Sequence, residues 1–306
     1  MSESPSARPP FTPANWPSWF LVVVLWLLGK SPQLVGILLS RPLGWLMFRV
    51  MKRRRKIAVR NIKRCFPQYS KAEREALIRE FFRSLARAVF EFAWSWSASD
   101  RRFRNMVSLE GRDNLEAARS QGKGVLIISA HVTCLEIGGR IFGQVAEASG
   151  LYRPLKNPVV EWYQNRARSK YPCNMISKKD VRSAIRLLRK GGLLWTAPDQ
   201  DFGPGQSSFA PFFGIQTATL LAPRRMAELT GCAVVAMYLV YDAKTRKYNQ
   251  KISPPLEDFP SEDLLHDLTR INEIMETQVG LAPALYWWIH RRFKTRPEGE
   301  QPFYDQ

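Results

Sequence analysis

The sequence reads as an α/β protein, a central mixed β-sheet flanked by helices, with an N-terminal membrane-anchoring helix. Three observations predict it. Apolar runs at Val125 to Ala130, Leu193 to Ala197 and Ala233 to Val240 are bounded by turn residues, which suits strands buried in a sheet. Stretches with apolar residues at helical spacing lie between and around them. A greasy segment near the amino terminus runs into a dense basic one.

Residues 1–15, rich in Pro and Ser, read as a disordered tail. No basic start and no small-residue cleavage site mark a removable signal peptide. Residues 16–51 read as the membrane anchor segment. Trp19 to Leu28 is unbroken apolar sequence, Lys30, Pro32 and Gln33 interrupt it, and Leu34 to Leu39 resumes it. A span takes about 20 mostly apolar residues, and Trp16 to Gly36 supplies that length only with Lys30 snorkelling to an interface. The segment is one imperfect transmembrane helix or an interfacial hairpin, with the span preferred. Lys52, Arg53, Arg54, Arg55, Lys56, Arg60, Lys63 and Arg64 follow. Such cations favour the cytoplasmic side of a membrane and attract anionic headgroups.

Ser70 and Glu73 form a capping box that opens a helix with Leu77, Phe81, Leu85, Val89, Phe92 and Trp96 as its apolar stripe. Asp113 to Ala118 is helical, and Gly122 and Gly124 end it before the strand at Val125. Gly150 to Leu155 reads as a short strand, Pro158 to Lys170 as a helix carrying Arg166 and Arg168, and Asp180 as the cap of a helix ending at Gly191 and Gly192. The strand from Leu193 delivers Asp199, Gln200 and Asp201 into a Gly-rich loop. Phe209 to Phe213 reads as a loop, Thr217 to Thr230 as a helix, and Ala233 to Val240 with Lys251 to Pro255 as a hairpin. Ser261 caps a last helix through about Val279. Tyr286, Trp287, Trp288 and Ile289, leading into His290, Arg291 and Arg292, suit the headgroup level of a membrane.

Lys and Arg total 46 against 27 acidic residues, a formal net charge of +19. The partner is therefore expected to be anionic: nucleic acid, an acidic membrane, or an acidic carrier or substrate. Cys65, Cys134, Cys173 and Cys232 include no C-x-x-C pair, so neither a zinc site nor a disulfide framework is indicated. The three histidines argue against a multi-histidine metal site, and they single out His131 as a base. It arrives where the Val125 strand ends, and Glu136 follows five residues later. Ligands in open α/β sheets bind at such strand-to-helix edges. With His131 in the turn and Glu136 in the first helical turns, the carboxylate can orient the imidazole, and the free nitrogen can take a proton from a hydroxyl. A lone H-x4-E also fits a satisfied histidine beside a solvated glutamate.

Seven motifs in one order carry a resemblance. They are His131 to Glu136, YRPLKNP at Tyr152 to Pro158, Arg166 with Arg168, SKKD at Ser177 to Asp180, APDQDFG at Ala197 to Gly203, PFFG at Pro211 to Gly214 and HRRFKTRP at His290 to Pro297. The chain resembles the late acyltransferases of lipid A biosynthesis, lauroyl and myristoyl transferases within the lysophospholipid acyltransferase superfamily. The likeness covers nearly everything after the tail. It implies a glycerolipid acyltransferase-like fold, with residues 52–306 as the acyltransferase domain. It also implies transfer of an acyl chain, lauroyl-type, from acyl carrier protein to a 3-hydroxyacyl hydroxyl of a Kdo-lipid IVA-type precursor at the inner membrane, on its cytoplasmic face.

On this resemblance His131 is the base and Glu136 its orienter. Arg153, Arg166 and Arg168 position substrate phosphates, and Asp199, Gln200 and Asp201 line the substrate loop. Anionic inner-membrane lipids are further partners, and no cofactor is required. The aromatics of Phe209 to Phe213 either pack under the sheet or wall an acyl chain. The glycerolipid branch has a Phe-Pro-Glu-Gly-Thr block where this chain has Ala197-Pro198-Asp199-Gln200-Asp201, which weakens a lysophosphatidate acyltransferase reading. Cys134 inside the motif raises a covalent acyl-enzyme. The alternatives are an acyltransferase for another glycolipid or phospholipid acceptor and, from a different class, a membrane-associated basic nucleic-acid-binding protein. No recognisable nucleic-acid-binding motif is present, so nucleic acid is not expected as a partner.

Overall fold

A computed structural model describes residues 9–304 apart from 145 and 172. The disorder expected of the tail therefore lies outside the described residues for 1–8. Residues Pro13–Asn15 form a 3-10 turn, and Phe11 stacks on Trp19. Five helices follow: α1 (Trp16–Lys30), α2 (Gln33–Val50), α3 (Lys52–Cys65), α4 (Lys71–Ser97) and α5 (Asp100–Arg104). Strands and helices then alternate as β1 (Val107–Glu110), α6 (Arg112–Ser120), β2 (Val125–Ile128), α7 (Leu135–Gly143), β3 (Ala148–Tyr152), α8 (Pro158–Arg168), β4 (Cys173–Ser177), α9 (Val181–Arg189) and β5 (Leu193–Thr196). The chain ends with β6 (Ser207–Phe212), β7 (Ile215–Leu220), α10 (Ala222–Thr230), β8 (Ala233–Asp242), β9 (Lys247–Pro255) and α11 (Leu264–Leu281).

The main sheet runs β1-β9-β8-β2-β5-β3-β4. Its pairings are parallel except the β8–β9 hairpin, so the sheet is mixed. Helices flank it. At its centre β2 is wholly buried, as its unbroken apolar run requires. The capping box forms as read: Ser70 N donates to Glu73 at 2.6 Å and Glu73 N to Ser70 at 3.2 Å.

Several elements differ from the reading. β1 and β4 are short and were not legible as strands. Phe209 to Phe212 lie in β6, and the first third of the expected Thr217 helix is β7. This segment pairs antiparallel with β6, from Phe212 opposite Ile215 to Ser207 opposite Leu220, and Pro223 opens α10 in its first turn. Asp263, not Ser261, caps α11 by accepting from His266 N, while the Ser261 hydroxyl donates to Asp267. The C-terminal aromatics do not face a membrane. Tyr286, Trp288 and Ile289 belong to the main core, because this segment folds back over the sheet edge.

The anchor segment is two helices broken at Ser31–Pro32, and no single described helix is long and apolar enough to cross a membrane. Both lie along α4. Gly36 permits the close approach, since a Cβ there would come 2.7 Å from the Trp94 ring. Away from α4 the pair exposes Phe20, Leu27, Leu38, Trp45 and Val50. In α3, Ile57, Ala58, Asn61, Ile62 and Cys65 are buried, and Lys52, Arg53, Arg54 and Lys56 are exposed.

Beneath these helices α4 carries a buried ion pair. Arg87 Nε lies 2.8 Å from Glu91 Oε1, and the Tyr248 hydroxyl donates to the same oxygen at 2.7 Å. Removing one partner of a buried pair leaves the other charge uncompensated, which costs about 3–5 kcal/mol. Glu91→Ala is therefore expected to destabilise the protein by about that amount in denaturant titrations in detergent. A loss under about 1 kcal/mol would contradict the pairing.

Candidate functional site

Two neighbouring parallel strands build the site. β2 and β5 pair with Ile128 opposite Thr196, and three residues beyond each stand His131 and Asp199. The register of the strands carries into the loops. His131 Nδ1 lies 2.5 Å from Asp199 Oδ1, and the His131 amide donates to Oδ2 at 2.9 Å. Asp199 is buried, while 29% of the His131 side-chain surface is exposed. The carboxylate fixes the tautomer, placing the proton on Nδ1. Nε2 has no hydrogen-bond partner among the described residues and keeps its lone pair.

The electrostatics favour an imidazolium more than solvent does. Burial lowers the His131 pKa, but the Asp199 charge and hydrogen bond outweigh it, and the net shift is upward. Burial likewise raises the Asp199 pKa, and His131, its amide and Arg292 outweigh that, so the carboxyl is held below its ordinary range. The pair can accept a proton at Nε2 and stabilise the resulting charge.

The expected contact of His131 with Glu136 is not made. α7 begins at Leu135, so Glu136 sits in its first turn and projects toward α4 and α8. Trp96 Nε1 donates to it at 2.9 Å and Arg168 pairs with its other oxygen. The carboxylate that His131 does meet is Asp199. The same ion pair removes Arg168 from the expected phosphate cluster. Arg166, two residues away and so about 200° around the helix, is exposed over the Trp162 ring at 5.5 Å, and Arg153 is exposed in the loop after β3.

Asp201 is committed to the fold rather than to a ligand. Its carboxylate accepts from Thr295 N at 2.6 Å, from Thr295 Oγ1 at 2.8 Å and from Gly203 N at 3.0 Å. Its own amide donates to His290 Nε2 at 3.0 Å. Burial is the main cause that pulls the His290 pKa down to about 4, which keeps that nitrogen an acceptor. Gln200, half-buried, has no such partner among the described residues. The C-terminal segment also holds the His131 loop, through Trp287 N to His131 O at 3.0 Å and Thr133 N to Leu285 O at 2.8 Å. The C-terminal segment thus fastens both loops, and within it the HRRFKTRP motif holds the one that carries Asp201.

Cys134 is fully buried, and desolvation holds its thiol far above the ordinary value. A thiol so placed is inert, which excludes it as a nucleophile. Among the described residues no three His, Cys, Asp or Glu side chains gather as a metal site would need.

A family model described as bacterial lipid A biosynthesis acyltransferase matches residues 8–295. The lipid A biosynthesis palmitoleoyltransferase of Escherichia coli is 39% identical over 95% of each chain. The lipid A biosynthesis lauroyltransferase of the same organism is 35% identical over 94% of each. The solved 1-acyl-sn-glycerophosphate acyltransferase of Thermotoga maritima superposes loosely, with a TM-score of 0.39 and 16% identity over 81% of this chain and 96% of that one.

Proposed function

The chain belongs to the bacterial lipid A biosynthesis acyltransferase family, and on that premise we propose that it moves a fatty acyl chain from acyl carrier protein to a 3-hydroxyacyl hydroxyl of a Kdo-lipid IVA-type precursor. The observation that carries the mechanism is the His131–Asp199 pair. His131 Nε2 takes the proton of the acceptor hydroxyl, and the oxygen attacks the thioester carbonyl. The C–O bond forms, the C–S bond breaks, and the imidazolium returns its proton to the departing thiolate. Asp199 keeps the ring oriented and stabilises its transient charge. Glu136 and Arg168 act as a pair that shapes the wall beside the base. Gln200 and the exposed Arg153 and Arg166 are available to the acceptor's hydroxyls and phosphates. A lauroyl-type chain is the working donor.

Transfer from radiolabelled acyl carrier protein tests this, with the Kdo-bearing acceptor compared against other glycolipids and phospholipids. His131→Ala is expected to abolish transfer. Asp199→Asn is expected to lower it by about 100- to 10,000-fold. Because His131 must be neutral to act, kcat/KM falls as pH drops through its pKa, which Asp199 raises. Asp199→Asn therefore moves the acid limb to lower pH. Folded His131→Ala with near wild-type transfer would sink the mechanism, and preference for another acceptor would select the alternative substrate.

We also propose that the protein lies on the cytoplasmic face of the inner membrane as an interfacial hairpin. The exposed apolar face of α1 and α2 enters the lipid, and the cations of α3 meet anionic headgroups. Binding to phosphatidylglycerol-containing vesicles is expected to weaken but persist in high salt. Complete release by salt alone would contradict insertion.

A further inference from the structure

The sequence of α9, VRSAIRLLR, divides between two faces. Ala184 and Leu188 are buried, and Arg182, Arg186 and Arg189, at spacings of four and three, stand exposed on the opposite side. No acidic residue lies in the helix to offset them. Asp180, which caps it, directs its carboxylate to Ser183 N at 3.1 Å. Among the described residues neither Arg182 nor Arg186 forms an ion pair or a side-chain hydrogen bond, and Arg189 donates to Leu229 O at 3.2 Å.

The row begins at the edge of the sheet that carries the base. Because β2, β5, β3 and β4 pair in parallel and α9 follows β4, the amino end of α9 stands at the same strand ends as His131 and Asp199. In the turn before it, Lys178 Nζ lies 5.1 Å from the Phe202 ring, and Phe202 belongs to the loop that leaves Asp199. From there α9 runs back over the sheet for about 14 Å.

The alternation of the strands shows which way the row faces. Leu126, Ile128 and Leu194 pack with Ala184 and Leu188 of α9, whereas Val125, Ile127 and Leu193 pack with Phe142 of α7. The two helices therefore cover opposite faces of the sheet. On the α7 side Arg168 of α8 pairs with Glu136, and α1 packs there through Leu25 on Ala167. A membrane would meet the exposed hydrocarbon of α1, and the arginines lie on the other face. Their chemistry suits an acidic protein. Guanidiniums at this spacing repeat every 5–6 Å or so, as do carboxylates along one face of an acidic helix, and each fork can take one carboxylate. Val181 and Leu229, 44% and 52% exposed, add apolar contact beside the row, the mixture of arginine and hydrocarbon common at protein interfaces.

We infer that the exposed arginine face of α9 docks an acidic helix of the acyl carrier protein, so that the thioester on the carrier's arm enters at the sheet edge beside His131. The inference rests on the acyltransferase reading above. Full-length protein in detergent is assayed with lauroyl acyl carrier protein and the acceptor varied in turn. Arg182→Glu with Arg186→Glu is expected to raise the KM for the carrier by about ten-fold or more, leaving kcat and the KM for the acceptor within about two-fold. Arg182→Gln with Arg186→Gln is expected to raise the same constant less, which keeps the test decisive if the reversed charges impair folding. Added salt is expected to raise the wild-type KM for the carrier more than that of either variant. An unchanged carrier KM in folded variants, or a rise confined to the acceptor KM, would overturn the assignment. So would a loss of binding to phosphatidylglycerol vesicles with the carrier KM unaltered, which would give the row to lipid. Wild-type protein that transfers no chain would instead refute the acyltransferase reading.

Discussion

The parallel pairing of β2 with β5 is the constraint on which the site depends. Neither strand contributes a catalytic side chain, yet their register, Ile128 opposite Thr196, decides that His131 meets Asp199 three residues later. A slip of one residue would turn the side chains of a strand to its opposite face, and here it would bring Pro198 or Gln200 to the place of the carboxylate. The strands can hold that register because β2 is buried on both faces and flanked on its other side by β8, again in parallel. Burial adds a second effect. In a region of low dielectric the Asp199 charge acts on His131 with little screening, so the imidazole gains basicity where solvent exclusion alone would remove it.

The loops that leave those strands are fixed from the far end of the chain. Residues 285–287 bond to the backbone of His131 and Thr133, while His290 and Thr295 bind Asp201. Arg292 is buried beneath, donating to Ala218 O at 2.6 Å and to Asn272 at 3.2 Å. A motif rich in cations, at the surface by expectation, works as internal fastening. On the opposite side α4 carries the load. It receives α1 and α2 along one face, ties down α7 through the Arg140 contacts with its last carbonyls, and sends Trp96 to Glu136. The helices with the exposed apolar face and the site therefore share one helix.

Much of this was legible from residues. The buried strands at Val125 and Leu193, the capping box at Ser70 and the β8–β9 hairpin follow from short-range pattern, and they appear where pattern puts them. The failures at the site have one physical origin, since each depended on a tertiary neighbour. Five residues separate Glu136 from His131 and sixty-eight separate Asp199, so proximity in sequence favoured the wrong carboxylate. The signal for the right one was present, because a polar group directly after the second buried strand lands beside the first whenever the two pair in parallel. Asp201 and the C-terminal aromatics were misjudged for the same reason. A carboxylate in a Gly-rich loop and a Trp beside arginines look like ligand and membrane contacts until the segment that covers them is placed.

The central claim is that Asp199, rather than Glu136, orients and raises the basicity of His131. Nitrogen-detected NMR titration of the imidazoles in wild type, Asp199→Asn and Glu136→Gln tests it most directly. The geometry predicts a neutral His131 protonated at Nδ1, a pKa that falls in Asp199→Asn, and a pKa nearly unchanged in Glu136→Gln. A His131 whose tautomer and pKa respond to Glu136→Gln and ignore Asp199→Asn would contradict the account.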